Sequence, residues 1–225
     1  MPNLSPSPKA LWRNRIFEAT AGASYDYAVN NPWMAAPGGR LLWSTDVELL
    51  YRAMDVVNDA PEGSAILDVP CGGGVALSRL RPDRQVRYVA ADISATMLGR
   101  AERNARGRGL TTIEFVETDI AAMPFADDEF DVVLCFNGLH CLPAPDRAVA
   151  EMARVLRGEG RLVGDFVARR QHWRGDRVAA AMRAGGVFGP SGTVDQARGW
   201  FAAAGLTLQR LEPSGSVVHF EAVKR

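Results

Sequence analysis

The chain has 225 residues, 47% of them hydrophobic, and its 26 basic residues balance 26 acidic ones. A chain of this size buries about 70% of the surface it exposes when unfolded, so it needs neither a disulfide nor a metal as a staple. Zero net charge argues against a dedicated nucleic-acid binder, which carries a basic footprint, and no run of 18 apolar residues offers a membrane span.

The opening MPNLSPSPKALWRNR lacks the apolar core of a signal peptide. The three cysteines, Cys71, Cys135 and Cys141, form no CxxC pair, which speaks against a disulfide framework or a structural zinc site. The expectation is a cytoplasmic globule without a metal. Residues 1–9, rich in Pro and Ser, read as a disordered start. Helical patterns follow over roughly 10–22 and 41–59, the second marked by Val47, Leu50, Met54 and Val57. Between them, residues 23–40 are rich in Asn, Pro and Gly and read as a loop. Trp12, Phe17, Trp33 and Trp43 in this region suit either a roof over a lipophilic pocket or helix packing.

From residue 64 short apolar runs alternate with amphipathic stretches. SAILDV, QVRYVAAD, TIEFVETD, FDVVLCF and GRLVGDFV read as strands. GGVALSRL, SATMLGRAERNARG and PDRAVAEMARVLRG lie between them as helices, with a short AAMPFADD segment. A polar, helical stretch runs from 168 to about 204, and LTLQRLE and SVVHFEAV, joined by PSG, read as a terminal antiparallel pair. Strands alternating with helices predict an open, doubly wound α/β sheet, mostly parallel and covered on both faces. A helical N-terminal cap over 1–60 would lie on a Rossmann-like unit over 61–225, one structural domain in all. Ligands of such sheets sit outside the carboxyl ends of the strands.

Those ends carry a pattern. The first strand runs from Asp68 through Val69-Pro70-Cys71-Gly72-Gly73-Gly74 directly into the next element. Glycines there let a backbone approach a ligand closely, or else simply make a tight strand-to-helix turn. The dinucleotide fingerprint fits poorly, because its third glycine position is Leu77. Asp68 would repel a pyrophosphate but suits a ligand bearing an ammonium group. The second strand ends in Asp92-Ile93-Ser94. An acid there can accept both ribose hydroxyls, while Ser94, or Asp92 itself, can cap the following helix. The third ends in Glu117-Thr118-Asp119-Ile120, where Asp119 can accept the exocyclic amine of adenine and Ile93 and Ile120 can sandwich its ring.

In this combination the sequence resembles the class I S-adenosylmethionine-dependent methyltransferases, in the type 11 branch that includes ubiquinone and menaquinone methyltransferases. The likeness runs from about 64 to 167, through ILDVPCGGG, AADISATML, VETDIAAMPFADDEFDVV and NGLHCLPAPDRAVAEMARVLRGEGRLV. It implies seven strands with an antiparallel last one, S-adenosyl-L-methionine as cofactor and S-adenosyl-L-homocysteine as product. It implies that the loop holding Asp68, Pro70, Cys71, Gly72 and Gly74 faces the methionine portion. Asp92, with Ile93 and Met97, then belongs to the ribose side and Asp119 with Ile120 to the adenine side. Phe136 and Asn137 border the methyl end, and Tyr25, in AGASYDYAV, resembles a segment that closes over the cofactor. Pro70 departs from the family's glycine and lacks an N–H. Glu159 interrupts the usual Pro-Gly-Gly turn before the fifth strand, at the far end of the sheet.

Methyl transfer from a sulfonium needs chiefly in-line positioning, with a base where the nucleophile arrives protonated. His140 is the candidate base; its alternative is a histidine bonded into the loop for structure. His172 lies among Arg169, Arg170, Arg174 and Arg177, which read either as a solvated face or as a site for an acidic partner. His219 and Cys135 read as structural, and Cys71 as part of the loop without chemical duty. The expected partner is a compact small-molecule methyl acceptor, a phenol, quinone or natural-product intermediate, and an oligomer is possible. Two rival readings are a catalytically silent cofactor-binding subunit and an NAD(P)-dependent oxidoreductase, the latter leaving Asp68 and Asp119 without a role.

Overall fold

The computed structural model describes residues 32–225. The readings over 1–31, among them the 10–22 helix, Trp12, Phe17 and Tyr25, lie outside the described residues, as does the Trp33 side chain. The strands are β1 (Ala65–Asp68), β2 (Arg87–Asp92), β3 (Ile113–Glu117), β4 (Phe130–Cys135), β5 (Leu156–Val167), β6 (Leu206–Ser214) and β7 (Val217–Lys224). They form one sheet in the order β3-β2-β1-β4-β5-β7-β6. β1 to β5 are parallel, and β7 runs antiparallel to both neighbours. The doubly wound sheet with an antiparallel last strand is therefore present. Order reverses at β1, where chain connections leave to opposite sides and open a crevice.

Helices α1 (Pro32–Gly38), α2 (Val47–Met54), α3 (Val56–Asp59), α4 (Ala95–Gly107), α5 (Pro145–Val155), α6 (Trp173–Ala184) and α7 (Val194–Ala203) surround it. Alternate strand residues feed two cores. Leu67, Val89, Val133 and Phe166 pack on one face with Val149 and Met152 of α5 and Phe201 of α7. Ile66, Tyr88, Val132 and Leu134 pack on the other with Leu50 and Met54 of α2 and Leu98 and Ala101 of α4. Burial on both faces explains why these strands read as apolar runs rather than alternating ones.

Three expectations need correction. Residues 32–38 of the expected 23–40 loop are helical, followed by a π-helical turn, Gly39–Trp43; Pro32 stands at the first position, where a missing N–H costs nothing. The helix expected over 41–59 is broken, because Ser44 adopts φ +54° and helix resumes only at Val47. Asp46 caps that restart by accepting the Glu48 N–H at 3.0 Å, a pattern the Ser-Thr-Asp run carried. GGVALSRL holds a single 3-10 turn, Ala76–Ser78, since it is squeezed between positive-φ glycines and Pro82.

The Trp43–Asp46 segment is pinned to the β6–β7 hairpin. Ser216 N–H donates to the Trp43 carbonyl at 2.8 Å, and the Asp46 N–H and Thr45 hydroxyl both reach Ser214 Oγ. Gly215 turns the hairpin at φ +58°, and a Cβ there would collide with the Trp43 and Ser44 carbonyls. Gly215→Ala thus combines a strained dihedral with a backbone clash, and should cost about 2–4 kcal/mol in urea denaturation at neutral pH.

Candidate active site

One cavity, about 1060 Å³ with its open mouth, lies at the carboxyl ends of β1, β2, β3 and β4. Asp68, Asp92 and Asp119 all line it. So do Pro70, Cys71, Gly72, Ile93, Met97, Ile120, Phe136 and Asn137. The parallel register brings this about: Asp68 ends β1 beside Ala90 of β2 and Leu134 of β4, and Asp92 ends β2 beside Glu117 of β3. Gly74 does not line the cavity. Its φ is +86°, and a Cβ would sit 3.3 Å from Ala101 of α4, so it serves the loop's close packing on that helix.

Asp92 organises the rim. Its Oδ2 accepts the Gly72 N–H at 2.9 Å and its Oδ1 accepts the Ser94 N–H at 2.9 Å. Ser94 Oγ caps α4 through the Met97 N–H at 3.0 Å, so the carboxylate and the cap belong to neighbouring residues, as expected. Asp119 accepts the Ala121 N–H at 3.0 Å. Gly72 stands at φ +53°, and a Cβ there would reach only Met97 Cε, at 3.7 Å. The Val69–Pro70 peptide is cis. The Pro70 ring packs on Gly138, where a Cβ would lie 2.5 Å from Pro70 Cδ, and Cys71 N–H still bonds the Ala91 carbonyl at 2.9 Å.

Asp68 is buried, and Tyr88 donates its hydroxyl to Oδ2 at 2.9 Å. Burial raises its pKa to about 7 against the pull of that hydrogen bond, with the Asp92 charge adding to the rise. Such a carboxyl is poised to ionise fully beside a cation.

At the β4 end, Asn137 takes φ +53° and donates its N–H to Asp165 Oδ1 at 2.7 Å. Asp165 is buried in β5, its pKa raised by burial to about 7, and its Oδ2 lies 3.7 Å from His219 Nδ1 on β7. Burial lowers His219 to about 4, so the ring is neutral near pH 7. His140 lies off the cavity lining. It is buried, its Nδ1 accepts the Val167 N–H at 3.1 Å, and burial lowers its pKa to about 3. That geometry is the structural alternative for His140, since the nitrogen a base would use is already occupied. Burial raises the Cys141 thiol to about 12 and pushes Cys135 up further, so neither is a thiolate at neutral pH.

Sequence reasoning missed Met54, Thr118, Gly138, Cys141 and Leu142 on the cavity wall and Asp165 behind it. Only Asp165 carried a signal: an acid inside the apolar run GRLVGDFV needs a buried partner.

The comparisons with known proteins agree with this geometry. Residues 67–164 match the family described as a methyltransferase domain. Over this stretch the chain resembles class I methyltransferases of the type 11 branch. Methyltransferase GfsG of Streptomyces halstedii is 35% identical over 124 residues, 54% of this chain and 43% of that protein. Demethylmenaquinone methyltransferase of Thermus thermophilus is 36% identical over 127 residues, 55% of this chain and 56% of that protein. The chain thus spans about half the length of these curated relatives. The crystal structure of the [4+2]-cyclase SpnF shares the fold, with a TM-score of 0.67 at 21% identity over 98% of this chain and 97% of that one. The chain has no helix among its described residues long and apolar enough to cross a membrane.

The buried acid at the fifth strand should show in the protein's pH dependence. Asp165 has a folded pKa above its ordinary 3.8, so its stabilising share is full below that value and is lost as pH rises through about 7. His140 and His219 act oppositely, costing stability as pH falls below about 6.5. In urea unfolding, wild-type stability minus that of Asp165→Asn should therefore fall by about 1.4 kcal/mol per pH unit between about pH 5 and 6.5. A flat difference would contradict the assignment.

Proposed function

We propose that the chain binds S-adenosylmethionine in this cavity and moves its methyl group to a compact small-molecule acceptor, a phenol, quinone or natural-product intermediate. The observation that carries the reading is the convergence of Asp68, Asp92 and Asp119 on one cavity wall. The donor set fits the ligand. Asp68 matches an ammonium, Asp92 a pair of ribose hydroxyls, and Asp119 an exocyclic amine, while Ile93, Ile120 and Phe136 supply apolar faces. Gly72 leaves the open space a ligand backbone needs at the loop. A relative that acts on demethylmenaquinone supports a quinone among the acceptor classes.

Bound there, S-adenosylmethionine supplies a methyl already activated on a sulfonium. The chain's task is to hold and align. Asp68 and the Asp92-braced loop hold the methionine end and Asp119 with Ile120 the adenine end, and the Asn137 turn, held by Asp165, shapes the wall beside Cys141 and Leu142. Orientation of this kind accelerates displacement without covalent help from the protein. No histidine stands among the described lining residues, which favours an acceptor that arrives ionised or attacks through carbon.

Titration calorimetry should give S-adenosylhomocysteine a Kd of about 10 μM or tighter. Asp92→Ala removes charge-assisted bonds and should weaken it about a hundredfold. No binding at about 1 mM ligand would overturn the proposal.

The Asp68 carboxyl predicts a proton-linked affinity. With a ligand-free pKa of about 7, it must lose a proton to pair with an ammonium, so affinity should drop about tenfold from about pH 8 to pH 6. Asp68→Asn should bind more weakly and lose that dependence. Transfer of a labelled methyl to an extract-derived acceptor would separate an active enzyme from a silent subunit.

A further inference from the structure

Large apolar side chains left on the described surface concentrate in one place. Leu41 is 68% exposed, Leu42 44% and Trp173 59%; Met182, at 37%, lies further along α6. The π-helical turn and the start of α6 are joined: Ser44 Oγ lies 3.3 Å from His172 Nδ1, and a Cβ on Gly175 would sit 3.5 Å from Trp43 Cε3. Leu41 and Leu42 precede Trp43, and Trp173 follows His172, so the exposed side chains are carried by two segments that touch.

The same two segments are basic. The guanidinium carbons of Arg174 and Arg177 lie 5.2 and 5.4 Å from the Trp173 ring centroid. Arg40, Arg174 and Arg177 are exposed and make no ion pair among the described residues. Elsewhere Arg52, Arg79, Arg87 and Arg154 are each held by a carboxylate, while the exposed Arg103, Arg108, Arg147 and Arg198 likewise make no ion pair among the described residues. The acid on α6, Asp176, is turned to the Arg170 N–H at 2.8 Å. Unpaired guanidiniums around protruding leucines and an indole match an anionic interface in both respects. Apolar tips enter the acyl boundary while the cations meet phosphates. Side chains standing this far out suit a fluid partner that closes round them.

We propose that the face formed by Gly39–Trp43 and the first turn of α6 docks on an anionic lipid surface. Leu41, Leu42 and Trp173 insert, and Arg40, Arg174 and Arg177 engage lipid phosphates. Behind the face an apolar wall leads inward. Trp43 stacks on Phe188 at 6.0 Å, Phe188 meets the His140 ring at 4.4 Å, and Cys141, packed in the same cluster, lines the cavity. Docking here sets that wall between bilayer and cavity. The proposal does not depend on methyl transfer, and a failure of either reading leaves the other standing.

The test is sedimentation of the full chain with phosphatidylcholine vesicles, with and without about 30% phosphatidylserine. The anionic vesicles should bind it at least about tenfold more tightly, with the excess lost at high salt. Leu42→Ala with Trp173→Ala should reduce binding about tenfold, and Arg174→Gln with Arg177→Gln should erase the preference for anionic lipid. These positions are exposed, so circular dichroism and thermal melting should be unchanged in both variants. No sedimentation at about 1 mM lipid would overturn the proposal, as would binding that neither variant alters. A dimer in analytical ultracentrifugation that Trp173→Ala abolishes would also overturn it, by assigning the face to a second copy.

Discussion

Two hydrogen bonds to one carboxylate shape the crevice. Asp92, at the end of β2, accepts the N–H of Gly72 on the loop after β1 and that of Ser94 at the start of α4. It thereby ties together the strand end, the glycine turn and the helix whose cap follows. A backbone N–H bonded to a charged acceptor is held more firmly than one bonded to a neutral oxygen, so the turn can stay open over a cavity without side chains to prop it. Pro70, which lacks an N–H for such a bond, contributes by packing, its ring set against Gly138 of the loop after β4. Bonding and packing from two strand ends converge on the same wall.

Around this rim the interior is dry, and burial sets the charge state of the groups there. Asp68 and Asp165 sit close to half-ionised near neutrality, each kept from rising further by one donated hydrogen bond. His140 and His219 are driven neutral by the same burial. Loss of charge on the histidines and reluctance to ionise on the acids are one effect seen from two sides. It leaves the cavity with carboxyl groups whose ionisation a bound cation would complete, and without a histidine on its described wall.

The π-helical turn and α6 are held to the sheet's far edge. The hairpin of β6 and β7 anchors Trp43–Asp46, and α6 crosses it at Gly175, where a Cβ would meet Ser216. This joint lets the π-helical turn and α6 present leucine, tryptophan and arginine outward while Trp43 and Phe188 pack inward. The sheet is a fold shared with the [4+2]-cyclase SpnF.

Strand identity, sheet class and the strand-end acids were legible in the sequence because they rest on local rules. Apolar runs such as AILD and FDVVLC declare doubly buried strands, and Asp68 and Asp92 each close such a run, whereas Asp119 follows the half-buried edge strand IEFVE. Helix boundaries around Ser44 were less legible, since a single left-handed residue breaks a pattern whose periodicity survives on both sides. The roles of His140 and Asp165 were legible only in part: a structural histidine was one of two readings, and an acid inside an apolar run signalled a buried partner without naming it. His140 stands three residues past Asn137 and looked chemical, yet its ring points at the Val167 N–H on β5; Asp165 looked like part of a strand, yet it holds the Asn137 turn. Sequence by itself determined what each segment becomes and which acids end the strands, because those depend on neighbours along the chain. Tertiary structure alone decided which polar atoms are buried and what they bond, because that depends on strands β4, β5 and β7 meeting across gaps of 26 residues or more.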